Sequence, residues 1–376
     1  MSKLIPIMVF SLVLAYISDR KSFYEIDSFG EKKYICKEKL FYGIMALGMA
    51  VFVGLRTNGN DTHTYQMMYE AIADDLTAFK EIEWLKPATA PGLQFVCACL
   101  RNIGATAQDY FMIFALITVS VYLWFVQKYT SNLWMSVYFF ITMGVYTFTM
   151  AAIKQTVAVA FLLIATDRAI DKKYMRFVFW VLIAELFHPY SFIYLIVPFL
   201  FFNPWNQNTY WLLGGTIAVS LGLSRFMSSI LAMTDAMGGA YDSSSFIGEG
   251  VNIFRVLVVW VPVVISFRAK KFMKENNNRA TNLIVNLTMI NAMIMFIGLF
   301  GTANYFARLA NYFLIFQALA LPYLFRYFNR ESKVLIKIAS VICYLLYFYY
   351  ANVIANGAFD SDYDFITLFE FFEQLF

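Results

Sequence analysis

Residues 110–127 read YFMIFALITVSVYLWFVQ, eighteen positions without a charged side chain. A helix of about 20 apolar residues can cross the hydrocarbon core of a bilayer. This stretch and the other apolar runs of the chain are too continuous for barrel strands, in which apolar and polar residues alternate. They predict an all-α polytopic membrane protein of about twelve spans, at 4–18, 40–55, 110–127, 133–149, 154–167, 176–188, 190–203, 210–226, 251–267, 282–300, 306–324 and 334–351.

The composition of the whole chain is that of a protein that uses lipid as its solvent. Of the 376 residues, 60% are hydrophobic and 14% are charged, against about 25% charged in soluble domains. We therefore expect one multi-pass domain over 1–376, surrounded by membrane lipids. The net charge of +4 gives no reason to expect a nucleic-acid partner. The four cysteines and two histidines have no zinc-site spacing, so we expect no metal and no cofactor.

Lysine and arginine set the expected orientation, because they favour the cytoplasmic side of a membrane. Twenty of the 29 basic residues fall on one side of twelve alternating spans, namely Lys128 and those in 19–39, 168–176, 268–281 and 326–337. Both termini and the loops 56–109 and 227–250 then lie outside the cytoplasm. The segment 91–104 is apolar but short, and we expect a re-entrant or interfacial helix there rather than a further span.

Several of the other basic residues lie at the predicted outer ends of spans and not in open loops. Charges at membrane depth are costly and usually line a cavity or pair with another group. The alternative is that each side chain snorkels to the lipid headgroups. Five cations at one membrane face favour a shared anionic ligand, and they are Arg56, Lys154, Arg225, Arg255 and Arg308.

The first outer loop begins VGLRTNGNDTHTYQMMYE, at residues 53–70. The planar guanidinium of Arg56 can bind two phosphate oxygens. The segment Asn58-Gly59-Asn60 is typical of a turn, since Gly and Asn accept unusual backbone angles. Asp61 follows the turn and either acts in a site or caps the next helix.

Both histidines of the chain map to the predicted outer side. His188 ends the sixth run, and Glu185 precedes it by three residues, which places the two side chains on one face of a helix. A neighbouring carboxylate can orient an imidazole and raise its basicity. His188 is therefore our first candidate for a general base, with Asp61 the second. The alternative is a histidine that only ends a helix before Pro189, and His63 is expected to be a solvated loop residue.

These residues together resemble the EpsG family of Wzy-like polysaccharide polymerases. The resemblance covers about 40–325, and its first element is the series Gly54, Leu55, Arg56, Gly59, Asp61 and Tyr65. Ile153–Ala158 resembles the I-R-Q-x-x-A segment of that family, with Lys154 in place of the arginine. Further matches to its F-H and R-x-x-x-Y elements are Phe187 with His188 and Arg308 with Tyr312.

The resemblance implies a membrane glycosyltransferase of GT-C-like architecture in a bacterial cytoplasmic membrane, with its site facing outward. Such enzymes transfer a glycan from polyprenyl pyrophosphate to the next lipid-linked unit, with inversion and without a metal. Arg56, Lys154, Arg308 and Arg255 would then bind pyrophosphate. His188 or Asp61 would be the base, with Glu185 supporting the histidine. The residues expected to stack on sugars are Tyr65, Tyr69 and Tyr312. A chain-length regulator and a flippase are possible protein partners.

Other functions fit parts of the pattern. An O-antigen-ligase-like transferase would use the same donor and a different acceptor. A membrane O-acyltransferase also needs a buried histidine, but its donor usually comes from the cytoplasm. A lipid-linked glycan flippase or exporter would need charges along a path to both faces, and the charges here cluster at one. A rhomboid-type protease would need a GxSG serine, which the sequence lacks.

Overall fold

A computed structural model describes residues 1–26, 32–236, 250–355 and 359–373, and these are mostly helical. The helices are α1 (Leu4–Lys21), α2 (Leu40–Gly54), α3 (Thr62–Glu70), α4 (Pro91–Asn102), α5 (Ala107–Tyr129), α6 (Leu133–Thr142), α7 (Val145–Ala151), α8 (Ile153–Ile170), α9 (Tyr174–Glu185), α10 (Gln207–Ala236), α11 (Ile253–Arg268), α12 (Lys270–Glu275), α13 (Arg279–Ile297), α14 (Ala303–Asn311), α15 (Ile315–Leu324), α16 (Arg330–Tyr349), α17 (Phe359–Asp362) and α18 (Leu368–Glu373). Short 3-10 and π segments and a two-stranded hairpin complete the fold, at Leu76–Phe79, Pro87–Thr89, Pro189–Leu200, Phe325–Tyr327, Tyr350–Ala355, β1 (Phe23–Ile26) and β2 (Lys32–Cys36).

Three helices in the described ranges are long and apolar enough to cross a membrane, at Ala107–Tyr129, Arg279–Ile297 and Arg330–Ala355. Two bent pairs, α6 with α7 and α14 with α15, raise the number to five if each pair counts as one span. A mostly helical polytopic membrane protein is supported, although the hairpin of β1 and β2 departs from the all-α prediction, and about twelve spans and the outward position of the termini stay predictions. The most apolar windows of α5 and α13 are 61% and 72% buried, against 17% for the last helix. Helices α5 and α13 are therefore central, and α16 is peripheral.

Each of the two bent pairs is a broken span or a re-entrant loop, and at the second bend side chains of other helices satisfy freed carbonyl groups. The first bends by 49° after Gly144, whose φ of +83° a glycine adopts without strain. The second bends by 57° and releases carbonyls around residue 310. Asn291 donates to the carbonyl of Ala310 at 2.6 Å, and the Tyr194 hydroxyl donates to that of Tyr312 at 2.9 Å. Irregular backbone at membrane depth is tolerated where protein groups satisfy it in this way.

Both ends of helix α4 are held by hydrogen bonds to other parts of the chain. The Gly92 amide donates to the carbonyl of Leu186 at 2.8 Å, and Arg101 donates from Nε to the carbonyl of Ile72 at 3.1 Å. Twelve residues of helix rise only about 18 Å, which is short of the ~30 Å hydrocarbon core. This geometry supports the expectation that 91–104 is re-entrant or interfacial.

Residues 359–366, which we call the strap, return to the start of the first loop. The Ile366 amide donates to the carbonyl of Leu55 at 3.0 Å, and the Thr57 amide donates to that of Asp364 at 2.8 Å. Lys3 Nζ donates to the carbonyl of Asp360 at 2.8 Å. Residue 3, the strap and the first loop therefore lie together, and which side of the membrane they face stays a prediction.

The predicted basic loops also make hydrogen bonds to one another in pairs. Lys37 donates from Nζ to the carbonyl of Thr130 at 3.2 Å, and Arg279 donates from Nε to that of Ile170 at 3.1 Å. Asp19 accepts from the Tyr34 hydroxyl at 2.6 Å. These contacts fasten the 19–39 loop to the α5–α6 turn and the start of α13 to the end of α8.

Candidate active site

A cavity of about 1080 Å³ lies where the broken helices, the first loop and the strap meet. Both helix breaks contribute to its wall, through Met143 and Gly144 in the first and Asn311 and Leu314 in the second. Interrupted helices are where membrane proteins commonly place substrate groups, because backbone and polar side chains become accessible there. The cavity is therefore the strongest candidate for the active site.

Six of the ten predicted site residues line this cavity, although they come from five separate parts of the chain. They are Asp61, Tyr65, Lys154, His188, Arg255 and Arg308. Charges at the ends of the predicted spans indicated a shared site for Lys154, Arg255 and Arg308, and the fold places all three on this cavity. The side chain of Arg225, which we had considered with them, lies outside the described residues.

Lys154 and Arg308 form a pair of cations on adjacent elements. Gln155 donates from Nε2 to the carbonyl of Arg308 at 2.6 Å, which ties the start of α8 to the end of α14. The Lys154 amide donates to the Tyr65 hydroxyl at 3.4 Å. The charges of both cations act on the His188 ring. An anionic group in this part of the cavity would meet Lys154, Arg308 and His188 together.

His188 is held by a tyrosine and not by Glu185. Its Nδ1 lies 2.6 Å from the Tyr312 hydroxyl, and its backbone carbonyl accepts from the Ser191 hydroxyl at 2.8 Å. The carboxylate of Glu185 makes no hydrogen bond to the histidine. The reason is local, because α9 ends at Glu185 and His188 is extended, with φ −154° and ψ 122°. Three-residue spacing places side chains on one face only in a continuous helix, so the predicted Glu185 support is corrected.

Asp61 lines the cavity and does not cap α3 with its side chain. The turn before the helix is held by its neighbours, since Thr62 donates from Oγ1 to the carbonyl of Gly59 at 2.6 Å and Asn58 accepts from the Gly59 amide at 2.8 Å. The turn has the positive φ angles expected at Gly59 and Asn60. The capping alternative is therefore not observed, and the carboxylate is available to a ligand.

Arg56 does not line the cavity, contrary to the expectation that it converges there with Lys154 and Arg308. It is 1% exposed, donates from Nη1 to the carbonyl of Val53 at 2.7 Å and lies 4.8 Å over the Phe111 ring. A β-bridge to Phe365 in the strap fixes its backbone. These contacts hold the guanidinium behind the first loop, so a direct phosphate contact is not supported in this arrangement.

Two of the three predicted sugar-binding tyrosines are also buried away from the cavity. Tyr69 stacks on Tyr110 with ring centroids 5.0 Å apart and donates to the carbonyl of Ala105 at 2.8 Å. Tyr312 is fully buried against His188. Tyr65 remains on the wall, together with aromatic residues that the sequence analysis did not single out, namely Phe148, Tyr347, Tyr350, Phe359 and Tyr363. Phe359 and Tyr363 follow the last apolar run, whereas Phe148, Tyr347 and Tyr350 lie inside apolar runs, where nothing in the sequence distinguishes them from core aromatic residues.

His63 is exposed on α3, as expected for a solvated residue. Within the described ranges, no three His, Cys, Asp or Glu residues lie close enough together to hold a metal ion.

The sequence profile of the EpsG family matches residues 39–366. This range includes the first loop, both broken helices and the strap. No curated protein and no solved structure matches the chain.

Proposed function

The chain belongs to the EpsG family, the family of Wzy-like polysaccharide polymerases, and on that premise we propose that it joins oligosaccharide units carried on polyprenyl pyrophosphate. The glycan would move from one lipid carrier onto a sugar hydroxyl of a second lipid-linked unit. The reaction would be inverting and metal-independent. It would occur at the outer face of a bacterial cytoplasmic membrane.

The observation that carries the proposal is one cavity whose wall includes the cations Lys154 and Arg308, with Arg255 further along it, the carboxylates of Asp61 and Asp362, and His188. Pyrophosphate leaves as an anion, and Lys154 and Arg308 supply positive charge where that anion would develop. A sugar hydroxyl must lose its proton as it attacks, and Asp61 or His188 could accept it. The volume of about 1080 Å³ lies just above the usual range of ~300–1000 Å³ for small-molecule sites. That size suits more than one sugar.

Asp61 is the better supported base of the two. Its carboxylate is not used in capping, whereas Nδ1 of His188 is already engaged by Tyr312. Arg255 lies on the same cavity beside Tyr347 and is proposed to bind phosphate or sugar oxygens there. The aromatic residues Tyr65 and Tyr363 offer ring faces to the sugars.

The function is tested by the lengths of lipid-linked glycans in cells with the wild-type protein, without it, and with variants. Lys154→Met and Arg308→Met remove one charge each and should lower polymer formation about a hundredfold or more, the cost typical of losing one transition-state donor. Lys154→Arg should be tolerated because it restores the family's residue. Lys80→Met is the matched control, since Lys80 is an exposed cation in the 56–109 loop that does not line the cavity.

Wild-type polymer in the Lys154→Met/Arg308→Met double variant would overturn the proposal. A single glycan transfer to a different acceptor, with no ladder of lengths, would assign the protein to the ligases instead. Unchanged glycan lengths with altered transport across the membrane would indicate a flippase or exporter.

A further inference from the structure

The tyrosine–histidine pair at the cavity wall is a built feature of the fold. The Tyr312 hydroxyl lies 2.6 Å from His188 Nδ1, and the two rings meet edge to face at 75° with centroids 5.7 Å apart. Tyr312 is fully buried and His188 is 8% exposed. The backbone of each is fixed by a further hydroxyl, that of Tyr194 for Tyr312 and that of Ser191 for His188. Neither ring can turn away without breaking these bonds.

The direction of this hydrogen bond follows from the acidity of the two groups. A phenol has an ordinary pKa of about 10 and is a stronger donor than the N–H of a neutral imidazole, whose bare nitrogen is in turn the stronger acceptor. Tyr312 is therefore the donor and Nδ1 the acceptor. A neutral imidazole carries one hydrogen, so it must lie on Nε2. The buried pair selects one tautomer, in which the other nitrogen is an N–H donor.

That donor belongs to a residue on the wall of the cavity that Lys154 and Arg308 also line. His188 lines the cavity, and the charges of Lys154 and Arg308 act on its ring. A nitrogen that already carries a hydrogen cannot take the proton of an attacking hydroxyl. It can donate to an oxygen on which negative charge develops.

We propose that His188 is a hydrogen-bond donor to the pyrophosphate oxygen that leaves the sugar, that Tyr312 is the positioning residue which fixes its Nε2–H tautomer, and that Asp61 is the base. This inference rests on the proposed function. The acceptor hydroxyl gives its proton to the Asp61 carboxylate, and its oxygen forms the new bond to the anomeric carbon. The bond from that carbon to the phosphate oxygen breaks, and the electron pair stays on the oxygen. His188 keeps its hydrogen throughout, because pyrophosphate is a stable anion and needs no proton to leave.

The tautomer can be measured without any activity. The chain has only two histidines, so His63→Gln leaves His188 as the single signal in protein labelled with ¹⁵N-histidine and reconstituted in lipid nanodiscs. We expect the nitrogen spectrum to show a protonated Nε2 and an unprotonated Nδ1. Tyr312→Phe removes the selecting hydroxyl and should give a mixture of the two tautomers. A protonated Nδ1 in the protein that retains Tyr312 would overturn the inference, even if the protein proves to be a polymerase.

A pair of substitutions tests the role in turnover. The amide of His188→Gln can reach the position of Nε2 and donate, but it cannot take up a proton. We expect this variant to keep polymer formation within about tenfold of wild type and His188→Ala to lose about a hundredfold, the typical cost of a lost oxyanion donor. Asp61→Asn should lose about 10²–10⁴-fold, as expected for a lost base. If His188→Gln is as inactive as His188→Ala while Asp61→Asn is active, the histidine is the base and the inference fails. Gel filtration of each purified variant separates loss of turnover from loss of folding.

Discussion

Arg56 belongs to the most specific motif in the sequence, yet its guanidinium is packed behind the cavity wall. It donates to the Val53 carbonyl and stacks over Phe111. Arg56→Lys keeps the charge but loses the planar stacking surface and the fixed geometry of the donor. We expect the variant to lower the free energy of unfolding by about 1.5–3 kcal/mol, the usual worth of a hydrogen bond to a charged group. Thermal unfolding in detergent measures it, with Lys80→Met as the control.

Unchanged stability in Arg56→Lys together with a complete loss of polymer would contradict this structural role. That outcome would return Arg56 to the phosphate-binding set in which the motif first placed it.

At the level of single residues, three of the five cations that the sequence predicted to share a site line one cavity, namely Lys154, Arg255 and Arg308, because a position near the end of an apolar run is itself informative. Lys154, His188 and Arg308 stand near the ends of apolar runs, where an unsatisfied polar group is costly. The sequence predicted Tyr69 and Tyr312 poorly. Which face of a helix meets the cavity depends on neighbouring helices, and a motif does not specify those neighbours.

Among the elements, the turn at 58–60 depends most closely on the strap. Gly59 has φ +112°, and a Cβ placed there would lie 2.2 Å from the Tyr363 ring. Gly59→Ala should therefore destabilise the loop by about 1–3 kcal/mol and reduce polymer formation by displacing Asp61. Gly214→Ala is the matched control, because nothing lies within 4 Å of its added Cβ. Unfolding midpoints and glycan lengths of the two variants decide the matter.

The double variant Gly59→Ala/Tyr363→Ala removes the clash but keeps the unfavourable backbone angle. Because Tyr363→Ala also removes a buried ring, the double variant is compared with Tyr363→Ala alone, and Gly59→Ala should cost less stability in that background than in the wild type. A Gly59→Ala protein as stable and active as Gly214→Ala would show that the strap does not hold the turn.

Two elements differ from the apolar runs that predicted them. The runs 133–149 and 306–324 are continuous in hydrophobicity, and each predicts one straight span. The structure breaks both, at Gly144 and near Tyr312. Apolar composition hides such breaks because the groups that stabilise them, such as Asn291, lie on other helices. The breaks that create the cavity were therefore not predictable from the runs alone.

For the whole molecule, the division of Lys and Arg makes a topology prediction that labelling can check. Single cysteines placed at Glu70 and Ala240, the latter outside the described residues, should react with a membrane-impermeant thiol reagent in intact cells. The native Cys97, Cys99 and Cys343 are replaced by serine in every variant, and Cys36 is also replaced in the two single-site proteins. A separate protein that retains Cys36, which is exposed in the predicted cytoplasmic loop, should be protected until the cells are opened. Protection of both new sites, or labelling of Cys36, would reverse the orientation.

The number of spans is the whole-molecule property that sequence and structure describe least alike. The sequence has twelve apolar runs, whereas in the part of the chain that the structure describes three helices, or five with the bent pairs, are long and apolar enough to cross alone. Shorter apolar helices such as α2 and Pro189–Leu200 account for part of the difference. A short helix can lie at membrane depth when neighbours bury its ends, and burial by neighbours is a tertiary property.

The bridge between Arg56 and Phe365 also sets an order of events during biosynthesis. About 300 residues separate the two partners, which corresponds to roughly 15–60 s of ribosomal elongation at about 5–20 residues per second. During that interval the first loop has been synthesised, but the part of the cavity wall that Tyr363 provides does not yet exist. Under the proposed function, we therefore expect no turnover before the ribosome has passed the strap, and a chain that is arrested earlier should be inert.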